Sequence, residues 1–575
     1  MQRYSVIFVI PYSKQSGGMK IMKKLISIFL VLTLMLSFAV PAAAAYYPGQ
    51  ETPIIIIRGD GRDIVDADGN VIWPVSLGDG DESKDKILET AKNILFPHFL
   101  NGVLFDQWDG YCDVVVEELS PLFEKTKLDK SGEASNGSGM PAEDIEHNAY
   151  FSKFNAATWQ NGKFDVNDYT YYYDWRLSPM DVIDDFHAYI TTVMKSTGAS
   201  QVSLVGRCLG TNFLAAYLQK YGSLGHIKSI VFDSGTVNGT ALLTDAFQGK
   251  VNADDKALER FINDYINYRR QPEPDETGAI DEVMLLLNDL LSTSVALLNE
   301  TGVTNVATGM IMKIYKKVYT NLVPRLLVEI FATWPGYWAA VSSEDFDACV
   351  DFVFGKEGSE TRTEYAGLIE KLNRYNDTVG SEIPQIVSDR QNEGKTVAAT
   401  TKYGYQLYPF VESVDKLADG LVELEKASFG ATTAKVNKTL SKQYLEERSA
   451  LGLSGYISND KEVDASTSLL KDSVWFIKGI EHNNWSDSID YLIHDICQGT
   501  VKTVHDSPDY PQFMVYNDKA DTISPMTDEN CNISNWDEVT TEKPTLGSRL
   551  IALFKWLYAV LRYLFSISKN NPVQP

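Results

Sequence analysis

The stretch VSLVGRCLGTNF, Val202 to Phe213, limits what this chain can fold into more than any other. Val202 to Val205 read as a strand, and from Thr211 the pattern turns helical. Gly206 and Gly210 stand two positions either side of Cys208. Glycines at both places let a strand reverse sharply into a helix, because the backbones can pass where a Cβ would collide. Such a turn lifts its middle side chain above the end of a sheet, at a helix N-terminus, where serine is the usual occupant. The cysteine here is therefore either a working thiol nucleophile or the mark of lost chemistry.

The flanking sequence supplies the sheet that the turn needs. Pro53 to Ile57, PIIII, is a short, wholly apolar run of the kind buried on both faces, and it ends in Arg58-Gly59-Asp60-Gly61. In DIVDADGNVIW, Asp68-Gly69-Asn70 reads as the turn of a solvated hairpin; the twelve-residue spacing of a calcium loop is absent. HIKSIVFDSGTVNGT (His226 to Thr240) gives another strand, and strands resume at Lys395 to Phe410 and Asp472 to Gly479. Short apolar strands alternating with helical stretches predict a mostly parallel sheet flanked by helices, an α/β fold. The core is expected over 46–240 and 391–510. Inserted into it are a lid-like segment at about 83–165, with a loop at Asp129 to Asp144, and a large helical cap over 241–390. Residues 511–575 add an edge element and an apolar helix at Thr545 to Phe565. That helix is expected to dock on the core or lie at a membrane surface.

Composition narrows the partners. Asp and Glu number 77 against 52 Lys and Arg, for a net charge of −25, which argues against nucleic acid. Met22-Lys23-Lys24, the apolar run Leu25 to Val40 and PAAAAYYPG together read as a secretory signal peptide cleaved near Ala45, predicting an exported, bacterial protein. Residues 1–21 read as an over-extended frame ahead of a start at Met22. The five cysteines, at 112, 208, 349, 497 and 531, have no C-x-x-C spacing, so zinc and iron–sulfur sites find no support. Cys349 and Cys497, in apolar helical contexts, read as buried small hydrophobes.

A nucleophile on such a turn needs a histidine and an acid, each following a later strand. His482 lies three residues past Gly479, where a strand ends; His494 and His505 are its rivals. Asp419, in LADGLV, follows the strand ending near Phe410, with Asp415 and Asp464 as rivals. Asp521, in VYNDKADTISP, has no histidine after it and reads as part of an edge element.

YDWRLSP (Tyr173 to Pro179), the nucleophile elbow about 30 residues later, the Asp-Gly acid motif and DSGTVNGT resemble the lecithin:cholesterol acyltransferase and related lipase family of α/β-hydrolases. The resemblance covers roughly residues 53–61, 169–240 and 403–495. It implies the α/β-hydrolase fold, with Cys208 as nucleophile where the family has serine, His482 as base and Asp419 as its orienting partner. It also implies an oxyanion hole made by the backbone N–H groups of Leu209 and Asp60. Polyhydroxyalkanoate synthases are similar in one respect, placing cysteine in a G-x-C-x-G box.

These residue types support acyl transfer. A thiol is intrinsically more nucleophilic than a hydroxyl, the helix N-terminus favours an anion, and Arg207 beside it is expected to add positive charge. The expectation is an exported esterase, lipase or acyltransferase working through an acyl-thioester. Its substrate would be a small-molecule or lipid ester, with no cofactor or metal implied. The alternative is an inactive α/β-hydrolase fold serving as a binding or surface module; a third reading makes Cys208 a redox-sensing thiol.

Overall fold

Four consecutive isoleucines, Ile54–Ile57, form the first strand, β1, and their β-branched side chains alternate between the two faces of a sheet. Ile55 and Ile57 enter a large apolar cluster on one face, and Ile54 and Ile56 a smaller one on the other. Both faces are thus dry. The computed structural model describes residues 52–59, 62–74, 95–141, 159–160, 163–164, 169–252, 254, 256–258, 260–261 and 308–531. Residues 1–45, read as an over-extended frame and a signal peptide, Asp60 and the apolar tail at Thr545 to Phe565 lie outside the described residues, as does much of the segment expected to form a cap.

The remaining strands of the main sheet are β2 (Thr170–Tyr171), β3 (Val202–Arg207), β4 (Ile227–Asp233), β5 (Thr396–Tyr403), β6 (Val474–Lys478), β7 (Phe513–Asn517) and β8 (Thr522–Pro525). They form one eight-stranded sheet in the order β8-β7-β6-β5-β4-β3-β1-β2. Every neighbouring pair is parallel except β7 with β8, an antiparallel edge hairpin. The parallel strands all end on one side of the sheet, where ligand sites of open α/β sheets lie. This is an α/β fold of α/β-hydrolase-like architecture.

Helices among the described residues include α1 (Phe96–Phe105), α2 (Asp109–Phe123), α3 (Pro179–Thr197), α4 (Gly210–Tyr221), α5 (Thr308–Phe331), α6 (Ala366–Thr378), α7 (Ile383–Asn392) and α8 (Asp487–Gln498). Helices α3, α4 and α7 cover the larger face. On the opposite face Ile489, Leu492, Ile493 and Ile496 of α8 cover Val205, Val231 and Ala398. Helix α3 begins at Pro179 and ends at Gly198, whose φ of 71° supplies the left-handed stop.

The segments expected as the lid-like insertion and the cap touch, since Trp334 Nε1 donates to the Thr126 carbonyl at 2.9 Å. Trp73, Trp175 and Trp334 pack edge to face, with ring centroids 6.0 Å (Trp73–Trp175) and 5.2 Å (Trp175–Trp334) apart. Arg176 of the YDWR motif is buried, grips Asp174 through Nε at 3.0 Å and Nη2 at 2.6 Å, and donates to the Thr126 carbonyl at 2.9 Å. The motif therefore ties the first insertion to the end of the sheet. The inserted segment between β4 and β5 is helical where described, and its last helices return to the core: Tyr375 of α6 donates to the Asn212 carbonyl of α4. The hairpin expected around Asp68-Gly69-Asn70 pairs Ile64–Val65 with Val71–Trp73, and Gly69 takes a φ of 83°.

Candidate active site

Cys208 sits between the last residue of β3 and the first turn of α4, with a φ of 49°. A non-glycine residue in that region is strained and needs its surroundings to hold it. Its N–H donates to the Asp233 carbonyl at 3.1 Å. Its carbonyl accepts from the Thr211 N–H at 3.0 Å, from Thr211 Oγ1 at 2.6 Å and from Thr236 Oγ1 at 3.3 Å. The two glycines are required by close approach: a Cβ on Gly206 would lie 2.9 Å from the Gly210 carbonyl oxygen, and one on Gly210 only 2.2 Å from that of Ile57. The side chain that emerges is half-buried.

The end of β1 runs directly against the turn, since a Cβ on Gly59 would sit 2.9 Å from the Leu209 nitrogen. Among the described residues the Leu209 N–H has no hydrogen-bond acceptor. Its amide stands free one residue after the thiol, where an oxyanion donor belongs. Asp60, expected to supply the second amide, falls outside the described residues.

Asp419 and His482 meet. The acid follows β5 on a loop closed by the Gly404 and Tyr405 N–H groups on the Ala418 carbonyl; the histidine follows β6, the next strand over. His482 Nδ1 lies 2.7 Å from Asp419 Oδ2, and the His482 N–H donates to the Asp419 carbonyl at 2.9 Å. Asp419 Oδ1 accepts from the N–H groups of Leu421 at 3.1 Å and Val422 at 2.8 Å. Both side chains are buried.

Burial alone would lower the His482 pKa, but the Asp419 charge, with Cys208 acting in the same sense, holds it well above the ordinary histidine value. Burial would raise Asp419, and the His482 charge with the two backbone donors more than offsets it. The charged forms therefore favour one another. His482 Nε2 makes no well-formed hydrogen bond among the described residues, so the nitrogen opposite the Asp419 contact is left for a proton partner.

The rivals are engaged elsewhere. Asp415 pairs with Lys435 at 2.5 Å, and Asp464 with Arg448 at 3.1 Å and the Tyr444 hydroxyl at 2.7 Å. Asp521 accepts from Ser486 Oγ at 2.5 Å. His494 lies within α8, and His505 is exposed.

Arg207 departs from expectation. Its side chain leaves β3 on the face of Val205, opposite the larger cluster, and is buried against Asp233 at 3.1 Å and against Asp490 of α8. Side chains alternate along a strand, so the residue before the turn points away from the thiol, and two carboxylates neutralise it. It does not serve Cys208 as a positive charge. Thr211, Thr236 and Lys402 are the polar groups of this region that motif reading passed over. Only Lys402 left a trace, as a lone charge in the strand TVAATTKY.

All five cysteines are free thiols, and the four others are buried. Desolvation pushes Cys112 and Cys349 up to about 12 and Cys497 up further, holding these thiols protonated and inert. Among the described residues no group of three or more His, Cys, Asp or Glu is arranged to hold a metal ion.

No protein-family model matches this chain, and no curated protein matches it. Among solved structures, a chain from the crystal structure of the Tle4–Tli4 complex is similar at 13% identity. The match covers 62% of this chain and 75% of that one, with a TM-score of 0.22.

Proposed function

We propose that Cys208, His482 and Asp419 form a catalytic triad that moves acyl groups from esters, lipid or otherwise apolar, through a thioester on Cys208. The observation that carries this reading is the buried His482–Asp419 pair, 2.7 Å apart, standing with the half-buried thiol of a strained elbow at the C-terminal ends of the parallel strands of one sheet. His482 takes the thiol proton; the sulfur attacks the ester carbonyl, and the negative charge forming on its oxygen faces the Leu209 N–H. Collapse expels the alkoxide, which leaves as an alcohol with the proton returned from His482. Water or an acceptor hydroxyl, deprotonated by His482, then attacks the thioester and frees the thiol. Asp419 fixes the tautomer and supports the imidazolium throughout. The reading places this chemistry outside the cell, after removal of residues 1–45, with Thr545 to Phe565 contacting a membrane surface.

The test is mass spectrometry of the mature protein after brief exposure to activated acyl esters of several chain lengths. C208A and H482A variants are run alongside. The expected result is one acyl adduct on Cys208 that is lost in C208A and forms at least tenfold more slowly in H482A. Its decay in water and in added alcohols separates hydrolysis from transfer. A folded protein that takes no acyl group at any chain length would replace this reading with that of a binding module.

A further inference from the structure

Behind the sheet, under the elbow, lies a group of buried charges that the triad does not use. Strand register sets Arg207, Asp233 and Thr400 side by side across β3, β4 and β5. Thr400 Oγ1 donates to Asp233 Oδ1 at 2.7 Å, and Arg207 spans Asp233 and Asp490. Two residues further along β5, on the same face as Thr400, is Lys402, 1% exposed. Its ammonium donates to the His482 carbonyl at 2.8 Å and to the Asn484 carbonyl at 2.8 Å, and lies 4.0 Å from the centroid of the Trp485 ring. Three donors are thus matched to two carbonyls and one ring face.

We infer that Lys402 is a positioning residue for the proposed triad, holding the His482 loop from behind the sheet so that the imidazole stays aimed at Cys208. The inference rests on the triad reading. Asp419 fixes His482 at its backbone N–H and at Nδ1; Lys402 fixes the carbonyl of the same residue from the opposite side. Asp419 orients the ring, and Lys402 anchors the carbonyl end of the same residue, so that the loop carrying the ring does not shift away from Cys208. A buried lysine is an expensive way to satisfy two carbonyls that water would otherwise reach. Burial lowers its pKa, while the charges of Asp233, Asp419 and Asp490 oppose that fall and Arg207 adds to it. As an ammonium, Lys402 has three donors for those partners, and the three carboxylates favour that form.

The experiment follows Cys208 acylation by an activated ester between pH 5 and 9 in K402M, in H482A and in the double variant K402M/H482A. Circular dichroism and thermal melting confirm folding. K402M leaves the buried carboxylates short of one positive charge, so K402M/D490N, which restores the charge balance, is measured with D490N alone as its control. Lys402 acting through His482 predicts acylation slowed at least tenfold in K402M and in K402M/D490N, a flattened pH profile, and no further loss when K402M is added to H482A. D490N retains both lysine contacts and stays near wild type. Folded K402M/D490N acylating at the wild-type rate with the wild-type profile overturns the inference while H482A remains slow. So does a K402M loss that is equal in both histidine backgrounds. An H482A variant as fast as wild type sinks the triad reading and this inference together.

Discussion

Asp419→Asn tests the site with a change of one atom. Asp419 Oδ1 accepts from the Leu421 and Val422 N–H groups, so an asparagine must turn its carbonyl oxygen toward them and its NH2 toward His482 Nδ1. That nitrogen then has to accept, and the imidazole proton moves to Nε2, where it blocks uptake of the thiol proton. The charge is lost as well. The Asp419 charge is what holds the His482 pKa up against burial, so without it the imidazolium should release its proton more readily and titrate at lower pH. Cys208 acylation at pH 7 is expected to fall by about 10²–10⁴, the range that a positioned base and its correct tautomer supply. The assay is the pre-steady-state burst of an activated ester, with the His482 titration followed by nitrogen-15 NMR. A burst within threefold of wild type, or an imidazole that titrates where it did before, refutes the assignment of Asp419.

Three further outcomes are expected. His482 is raised in the fold, so its contribution to stability is full below its ordinary value of 6.5 and is lost as pH rises through its folded value. Asp419 is lowered, so its contribution is present above 3.8 and is lost as pH falls through its folded value. The melting-temperature gap between wild type and D419N, measured by calorimetry, should therefore be widest between those limits and close at either end. Burial, with the charge of Asp460 beside it and Lys478 opposing, pushes the Glu462 carboxyl from 4.5 up to about 7. The folded chain then loses roughly 3 kcal/mol as pH rises from below 4.5 to above 7. E462Q should melt higher than wild type at pH 8, and an equal or lower melting point contradicts the sign. Gly210→Ala would place a Cβ 2.2 Å from the Ile57 carbonyl oxygen, a backbone atom that cannot swing aside. Urea denaturation should show a loss of about 3 kcal/mol or more.

The parts of this molecule written in the sequence are those that depend on neighbours in the chain. PIIII reads as a doubly buried strand because no polar residue interrupts it, and Gly206 and Gly210 announce the turn because their spacing serves local sterics. Place after a strand does not separate Asp419 from Asp415, which follows the same strand; the Asp-Gly motif favours Asp419, and its 2.7 Å contact with His482 joins residues 63 apart and is a property of the sheet. Arg207 was misread for a reason available in the sequence: strand alternation turns it away from its neighbour Cys208. Lys402 was not legible as a support for His482, since the carbonyls it holds belong to residues 80 and 82 positions away and carry no side-chain signature.

The distribution of thiols makes the native chain its own conformational reporter. Cys208 alone is part-exposed, and the other four are buried. A maleimide of known mass should add once to the folded protein and five times to an unfolded one. The mass ladder then counts folded molecules directly in a crude mixture, with no tag, no engineered cysteine and no optical signal.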